Sequence, residues 1–239
     1  MNDLARCHSA CTRGAHGEPT EVEVQLRDAT PRFDVVGLPD AAGREARDRV
    51  RSALAASGYE FPRGLVVVNL APAGTPKVGA AHDLPMAVGI LAGQGVVPTA
   101  ALRQALLFGE LALDGRVRPV RGAFLLASTA APRGLTEILA PPANAGEAAL
   151  ATSVPVHAVE TLADAVLHLA GVRRLPAVTP PTTPRDRAPR GDFAEVRGQN
   201  AVKRALVVAA AGRHNVLLVG KLRPARGDVF RASGAPRVR

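Results

Sequence analysis

The chain has 239 residues, of which 47% are hydrophobic, and it carries a net charge of +9. This is the composition of a globular protein with enough apolar residues for a core. No apolar run approaches the roughly 20 residues of a membrane-spanning helix, and the N-terminus lacks the apolar centre of a signal peptide, so we expect a cytoplasmic protein without membrane contact.

The positive charge lies towards the end of the chain. Residues 171–239 hold 15 Lys/Arg and 4 Asp/Glu, whereas residues 1–170 hold 15 and 17. A basic segment attracts DNA through its phosphates, so DNA is a candidate partner of the C-terminal tail. The chain has one Tyr, no Trp and six Phe, which leaves few rings on which single-stranded bases could stack.

Two cysteines and two histidines lie close together near the N-terminus. Cys7, His8, Cys11 and His16 include the spacing Cys-His-x-x-Cys. Two cysteines do not make a disulfide framework, and no second well-spaced pair follows that would complete a zinc site. We therefore expect no metal here and interpret residues 1–17 as a flexible N-terminus.

The first predicted elements are two strands and a helix. Hydrophobic and polar residues alternate over 22–26, which is typical of an edge or half-covered strand. Residues 33–36 are a second predicted strand, which Gly37 and Pro39 end. A helix follows over 44–57, with Asp40 as its N-cap. The outer faces of this helix carry several arginines, which are either solvated or dock a partner.

The stretch 65–95 organises the rest of the chain. Residues 65–68 are continuously apolar, so we predict a central strand covered on both faces. The chain then turns through a loop rich in Pro and Gly. Asp83 is the expected N-cap of an apolar helix that begins at residue 84.

The following part of the chain alternates short strands and helices. Asp114-Gly115 is a strong signal for a hairpin between antiparallel strands. Pro155 restricts its strand to a sheet edge or a strand start. The predicted elements are a helix over 123–131, strands over 137–140 and 154–159, and a last helix through Leu169 with Thr161 as its N-cap.

The first predicted domain covers residues 18–171, and the segment after it is rich in proline. We interpret residues 172–191 as a semi-extended linker. Beyond it, residues 192–220 form a second segment with a helix over 201–211 and a strand over 215–219.

That last strand ends in Gly220, as the strand before a phosphate-binding loop does. The residues that follow do not fit such a loop, because Lys221-Leu222 has no hydroxyl for magnesium and Pro224 would break the next helix. The chain contains no G-x-x-x-x-G-K-[ST] motif.

Six motifs together resemble one known family. They are FDVVGLPD (33–40), EARDRVRSAL (45–54), VNLAPAGTPKVG (68–79), HDLPMAVGIL (82–91), GELALDGRVRPVRGA (109–123) and DFAEVRGQNAVKRALVVAAAGRHNVLLVG (192–220). In this order they are similar to the magnesium-chelatase-like AAA+ ATPases of the YifB/ComM type. The resemblance extends over roughly residues 18–220.

The resemblance implies an α/β (α+β) N-terminal domain with the fold of Lon-type protease domains and of the second domain of ribosomal small-subunit protein five. An AAA+ motor follows that domain in the family. In the ComM branch the resemblance implies ATP-driven branch migration of DNA during natural transformation by a ring-shaped assembly. A homo-oligomer is therefore a further expectation.

The same resemblance places two catalytic positions of Lon-like proteases in this chain. Ala81 matches the serine nucleophile and Phe124 matches the lysine that activates it, and neither side chain attacks a carbonyl or carries a proton. We therefore expect no peptidase activity by this dyad. Ser128 and Lys77 have no matching partner, and we interpret them as ordinary surface or helix residues.

The resemblance also implies the remnant of a nucleotide site. In the family, the stretch matching Val196, Arg197, Gly198 and Gln199 lies on the adenine side of ATP, and the strand to Gly220 enters the phosphate loop. ATP and magnesium are the cofactors of the intact family, and we expect this chain to bind neither.

The last part of the sequence, residues 221–239, is basic, rich in proline and unlike the family. A frameshifted or truncated reading frame is the simplest interpretation. Two hypotheses remain: a fragment of a ComM-like ATPase, or a stand-alone binding module that uses its basic tail on nucleic acid or docks onto an intact relative.

Overall fold

The computed structural model describes residues 4–37, 41–77, 79–181 and 195–217, and for 41–44 it describes the backbone only. The chain divides into two compact units, residues 1–182 and 183–239. The first unit contains β1 (Ala5–Arg13), β2 (His16–Arg27), β3 (Arg32–Val36), α1 (Ala41–Ala56), β4 (Leu65–Ala71), α2 (Asp83–Gly93), α3 (Thr99–Leu102), β5 (Ala105–Leu107), β6 (Glu110–Leu111), β7 (Val117–Arg118), α4 (Ala123–Ala127), β8 (Glu137–Ala140), α5 (Pro142–Ala151), β9 (Val156–Ala158) and α6 (Leu162–Leu169).

A seven-stranded mixed sheet forms the centre of the first unit. Its strand order is β3-β4-β2-β1-β5-β8-β9. β2 runs antiparallel to β1 and β4, and the other neighbouring strands pair in parallel. The architecture is therefore mixed α/β with a mostly parallel sheet, which agrees with the coarse class expected from the sequence.

Helices pack on both faces of this sheet. On one face α1, α2 and α6 enclose a large apolar core, and on the other face α4 covers β1 and β2 while α5 covers β8 and β9. Leu106 and Leu107 of β5 enter different cores, because successive side chains of a strand point to opposite faces. Gly89 lets α2 lie close to the sheet, since a Cβ there would be 2.7 Å from Val24 Cγ2.

The N-terminus is ordered, and the prediction of a flexible segment over 1–17 is wrong for its described part. Residues 5–13 form β1, which lies between β2 and β5, and Cys7 and Cys11 are buried. The inward side chains of this strand are small, so the hydrophobic alternation was weak in the sequence. Packing between two neighbouring strands stabilises it instead.

β4 is less enclosed than its apolar sequence predicted. It lies between β3 and β2, and its residues alternate between buried and half-buried along the strand. Val66, Val68 and Leu70 enter the large core, whereas Asn69 faces the polar side and donates to Glu23 Oε2 at 2.9 Å. Only one face of this strand is therefore fully covered.

The hairpin and the last helix of the first unit form as predicted from local sequence. β6 and β7 pair antiparallel around a turn in which Gly115 has φ +85°. Thr161 Oγ1 accepts from the backbone N–H of Asp164, and Asp164 Oδ2 accepts from that of Thr161, which makes a capping box.

Other boundaries differ from the prediction. The helix predicted over 123–131 ends at Ala127, and a short 3-10 helix follows at Ala131–Arg133. Helices α3 and α5 were not predicted from the sequence. Helix α5 consists largely of alanine, whose small side chains give little contrast between the two faces of a helix.

The first part of the predicted linker belongs to the sheet region. The N–H of Val178 donates to Val156 O at 2.7 Å, and Ala177 forms an antiparallel bridge with His157. Residues 175–178 therefore cover the outer side of β9. Residues 182–191 of the predicted linker, and residues 192–194 after it, lie outside the described residues.

In the second unit, the described residues contain one helix, α7 (Asn200–Gly212), where the sequence predicted a helix over 201–211. Residues 215–217 adopt no strand, and residues 218–220, together with the tail 221–239, lie outside the described residues. The expected N-cap Asp40 also lies outside them. Within the described ranges, every helix is too short or too polar to cross a membrane.

Candidate functional site

The two positions predicted to match a Lon-type dyad are Ala81, in the apolar core under α4 and α5, and Phe124 on α4 itself. Ala81 is buried in the core under α4 and α5, and its carbonyl accepts from the N–H of Gly109 at 3.0 Å. Phe124 lies on α4 with 45% of its surface exposed, and its N–H donates to Glu147 Oε1 at 3.1 Å. Neither side chain offers a nucleophile or a base.

Ser128 and Lys77 do not supply the missing groups. The hydroxyl of Ser128 donates to Leu125 O at 2.8 Å, one turn back along the chain. Lys77 is 1% exposed, so its interpretation as a surface or helix residue is wrong. Its ammonium donates to the carbonyl of Pro72, and burial lowers the pKa of Lys77. The lysine thereby fixes the loop that precedes α2.

A buried ion pair lies at the start of α2. Asp83, fully buried, accepts from Arg49 Nε at 2.6 Å and Nη2 at 3.1 Å, and from the N–H of Leu111 at 3.2 Å. Burial raises the pKa of Asp83 to about 6, against the opposing effect of the guanidinium and the backbone donor. The pair joins α1, α2 and β6.

Asp83 therefore does not act as the N-cap of α2. The N-cap residue is His82, which makes no side-chain cap bond, and Asp83 is the first residue of the helix. His82 is buried, and its Nδ1 lies 3.0 Å from the hydroxyl oxygen of Ser9 on β1. The start of α2 is thus attached to the sheet and to α1 through polar side chains.

The N-terminal cysteines and histidines do not converge on a metal. Cys7 points into the large core, where burial raises the pKa of its thiol. His8 follows on the other face of β1, and its Nδ1 lies 2.6 Å from Arg133 Nη2. The strand conformation therefore places Cys7 and His8 on opposite faces of β1.

In the part of the chain that the structure describes, one group of residues has the spacing of metal ligands. Glu137, His157 and His168 bring their ligand atoms within 4.8 Å of one another. His168 Nε2 lies 3.1 Å from Glu137 Oε2, which also accepts from Arg174 at 3.1 Å. The carboxylate is therefore already occupied by two donors.

The tautomer of His168 also disfavours a metal. The N–H of Leu175 donates to His168 Nδ1 at 2.9 Å, which leaves the ring proton of the neutral imidazole on Nε2. A metal on Nε2 would require a proton on Nδ1, where it would oppose that N–H. His157 Nδ1 donates to the carbonyl of the same Leu175 at 2.9 Å. The group is a hydrogen-bond network that holds Leu175.

The residues predicted on the adenine side of a nucleotide precede α7. Gly198 and Gln199 both have positive φ, 70° and 56°, and Gln199 is the N-cap of the helix. Arg197, Gly198 and Gln199 are exposed, and Val196 is half-buried. Gly220 lies outside the described residues, so the predicted nucleotide remnant stays a prediction.

Comparison with known proteins gives the family. The family model described as Subunit ChlI of Mg-chelatase matches residues 22–144, just over half of the chain, and the model described as Magnesium chelatase, subunit ChlI matches residues 192–234. Competence protein ComM of Haemophilus influenzae is 38% identical over 234 residues, which are 96% of this chain and 45% of ComM.

Two proteins named YifB show the same level of similarity. YifB of Salmonella typhimurium is 38% identical over 232 residues and YifB of Escherichia coli over 230, in both cases 96% of this chain and 45% of the relative. The chain therefore spans about half the length of the curated relatives it matches. Both family models and these identities confirm the resemblance read from the motifs: the chain belongs to the magnesium-chelatase-like family that includes ComM and YifB.

Proposed function

We propose that this chain supplies the N-terminal, non-hydrolytic part of a ComM-like ATPase that processes DNA by ATP-driven branch migration. The support is the similarity to a competence protein along 96% of the chain, together with the family models on both sides of the proline-rich segment. In this proposal, residues beyond these 239 supply nucleotide hydrolysis, since the sequence contains no phosphate-loop motif.

The first unit then acts as a Lon-like scaffold without peptidase chemistry. The observation that carries this proposal is the pair of dyad positions: Ala81 is buried in an apolar core, and Phe124 stands on the helix that covers that core. A domain that keeps such a fold without its nucleophile is suited to assembly or to handling DNA beside the motor. A ring-shaped homo-oligomer is part of the same proposal.

An exchange of domains tests this function. In Haemophilus influenzae ComM, residues 1–217 of this chain replace the matching N-terminal region, and branch migration of a four-way DNA junction is measured beside ATP hydrolysis. We expect both activities to persist. A chimera that hydrolyses ATP normally but does not move the junction would contradict the proposal. The chain alone should show no saturable binding of ATP at micromolar concentration, with or without magnesium.

A second candidate function is DNA binding by the basic tail. Its support is the charge of residues 171–239, which carry 15 Lys/Arg against 4 Asp/Glu. Phosphate contacts of this kind weaken steeply as salt increases. The chain would then be a binding module that contacts nucleic acid through its C-terminal segment.

Neutralised variants test the tail. Anisotropy of a labelled DNA duplex is measured at low and at physiological salt for two five-fold Arg→Gln variants. The tail variant changes Arg223, Arg226, Arg231, Arg237 and Arg239, and the control changes Arg13, Arg32, Arg63, Arg116 and Arg118. We expect affinity to fall in the tail variant only. Equal losses in both variants would show that net charge, and not the tail, determines binding.

A further inference from the structure

Two histidines hold the segment that leads out of the first unit. The N–H of Leu175 donates to His168 Nδ1 at 2.9 Å, and the C=O of the same residue accepts from His157 Nδ1 at 2.9 Å. The two rings lie in a tilted arrangement with their centroids 4.5 Å apart. We call these two histidines, together with Leu175, the histidine latch. It fixes the point at which residues 175–178 begin to run along the outer side of β9.

The tautomer of His168 leaves one site for a further proton. Its Nε2 carries the ring proton and donates to Glu137 Oε2 at 3.1 Å, so a second proton would go to Nδ1. Nδ1 is the atom that accepts from Leu175. A protonated Nδ1 would point its N–H at the N–H of Leu175, and two donors do not bond to each other. Protonation of His168 and closure of the latch therefore exclude each other.

The groups around His168 determine the pH range in which this conflict arises. Its ring is fully buried, and it faces Glu137 of β8, His157 of β9 and Arg174 of the outgoing segment. Burial lowers the pKa of His168 below its usual 6.5, the hydrogen bond with Glu137 opposes this, and charge on His157 and Arg174 lowers the pKa further. The imidazole is therefore neutral at neutral pH and takes up a proton only on acidification.

Beyond the latch, the segment makes a small number of contacts with the described residues. The N–H of Val178 donates to Val156 O at 2.7 Å, at the antiparallel bridge described above. Leu175 and Val178 are half-buried, whereas the other residues of 175–181 are exposed. A segment that buries so little apolar surface can separate from the sheet at a far lower cost than unfolding of the sheet itself. Loss of the latch should therefore release the segment while the sheet stays folded.

We propose that the histidine latch is a pH-sensitive switch, which opens when His168 takes up a proton and thereby releases residues 175–181 from β9. Each released residue can add about 3.3–3.6 Å to the connection between the first and the second unit. The switch therefore changes the length of free chain between the two units. It uses none of the predicted dyad or nucleotide positions, so it stands independently of the proposed function.

Hydrogen exchange of single amides in the full chain tests the switch between about pH 7 and about pH 5. Val178 is the reporter, because its bond to Val156 involves neither imidazole ring. Its protection factor should fall by up to about tenfold per pH unit below 6.5, since the open segment lets His168 bind a proton that the closed latch excludes. Phe108, whose N–H donates to Leu139 O at 3.2 Å, reports opening of the sheet and should remain more strongly protected throughout.

Two variants separate His168 from the other titrating groups. His168→Asn keeps an acceptor near the position of Nδ1 but does not titrate, so the protection factor of Val178 should stay constant over the same pH range. His8→Asn is the matched control, because burial also lowers the pKa of His8, which lies on β1 outside the latch. The pH dependence of Val178 should persist in that variant.

A second measurement does not depend on any variant. In a nuclear magnetic resonance titration of the wild type, the ring of His168 and the amide of Val178 should change with the same midpoint, because proton uptake and release of the segment are one event. Different midpoints would overturn the proposal.

Three outcomes of the exchange experiment would also overturn it. One is a protection factor of Val178 that does not change with pH in the wild type. Another is an equal pH dependence of Val178 in the wild type and in His168→Asn. The third is equal protection of Val178 and Phe108 across the range, because the segment would then separate only when the sheet unfolds.

Discussion

The two edge strands of the central sheet, β9 and β3, differ in whether another segment of the chain hydrogen-bonds to their outer side. At one edge, residues 175–178 run along β9, with Val178 N–H bonded to Val156 O at 2.7 Å. Both backbone groups of Leu175 are held, its N–H by His168 and its C=O by His157. At the other edge, β3 has a helix beside it but no paired strand among the described residues.

The difference shows two ways of managing an exposed strand. The β9 edge is closed by the chain itself, so its hydrogen bonds are used within the unit. The β3 edge is short, five residues, and carries charged side chains at alternate positions, which discourages uncontrolled pairing. Its short length and its charges therefore limit pairing at an edge that no strand of the described residues covers.

The largest expected effect concerns the helix beside the open edge. Arg49→Met leaves the carboxylate of Asp83 buried without its cation. We therefore expect the free energy of unfolding to decrease by about 3–5 kcal/mol. Arg47→Met, on the exposed side of the same helix, should change the free energy of unfolding by about 0.5 kcal/mol or less. Urea denaturation of both variants measures this. If the two variants lost similar amounts of unfolding free energy, the ion pair of Arg49 and Asp83 would not be what fixes α1.

A smaller effect is expected at the closed edge. His168→Ala leaves the N–H of Leu175 without its acceptor and removes a fully buried ring, so we expect a loss of about 2–3 kcal/mol. His168→Asn keeps an acceptor near the position of Nδ1 and should lose less. Hydrogen exchange at the amide of Leu175 should accelerate in the Ala variant. Unchanged exchange there would show that the histidine does not hold residues 175–178.

The smallest effect is the pH dependence of the closed edge. Burial lowers the pKa of His168 below its usual 6.5, so the unfolded chain takes up a proton first and stability falls as pH decreases below that value. Burial also lowers the pKa of His8, with Arg133 acting in the same direction, whereas the raised pKa of Asp83 favours the folded state on acidification.

The contribution of His168 follows from a comparison of two proteins. His8 and Asp83 contribute the same pH dependence to the wild type and to His168→Asn. Between about pH 7 and about pH 5, the free energy of unfolding of the wild type should therefore decrease more than that of His168→Asn. Chemical denaturation across this range measures the difference. If the free energy of unfolding changed equally with pH in both proteins, His168 would not be a buried imidazole that stays neutral in the folded chain.

The sequence predicted the elements whose signals are local. The hairpin at Asp114-Gly115 and the capping box of Thr161 form where they were expected, because both depend on residues within three or four positions of one another. The assignment of Ala81 and Phe124 to Lon-type dyad positions rests on the family motifs and stays a prediction. The same motifs placed the chain in its family, which the comparisons confirmed.

Three further features that the sequence did not predict depend on distant neighbours. Asp83 was expected as a helix cap, but Arg49, 34 positions earlier, lies within 2.6 Å of its carboxylate. Lys77 was expected at the surface, and residues 175–178 were expected in a linker. In each case the local sequence correctly indicated a polar residue or an extended segment. The contact that determined the role of that residue or segment was made by a distant part of the chain.

By itself, the sequence determined the family and the mixed α/β class, since these depend on residue identity and short-range pattern. The tertiary structure alone decided that residues 5–13 lie inside the sheet, that Leu175 is held by two histidines, and that β3 is the strand which no other described segment pairs with on its outer side. The physical reason is that burial and strand pairing depend on which segments become neighbours, and this is set by the packing of the whole unit.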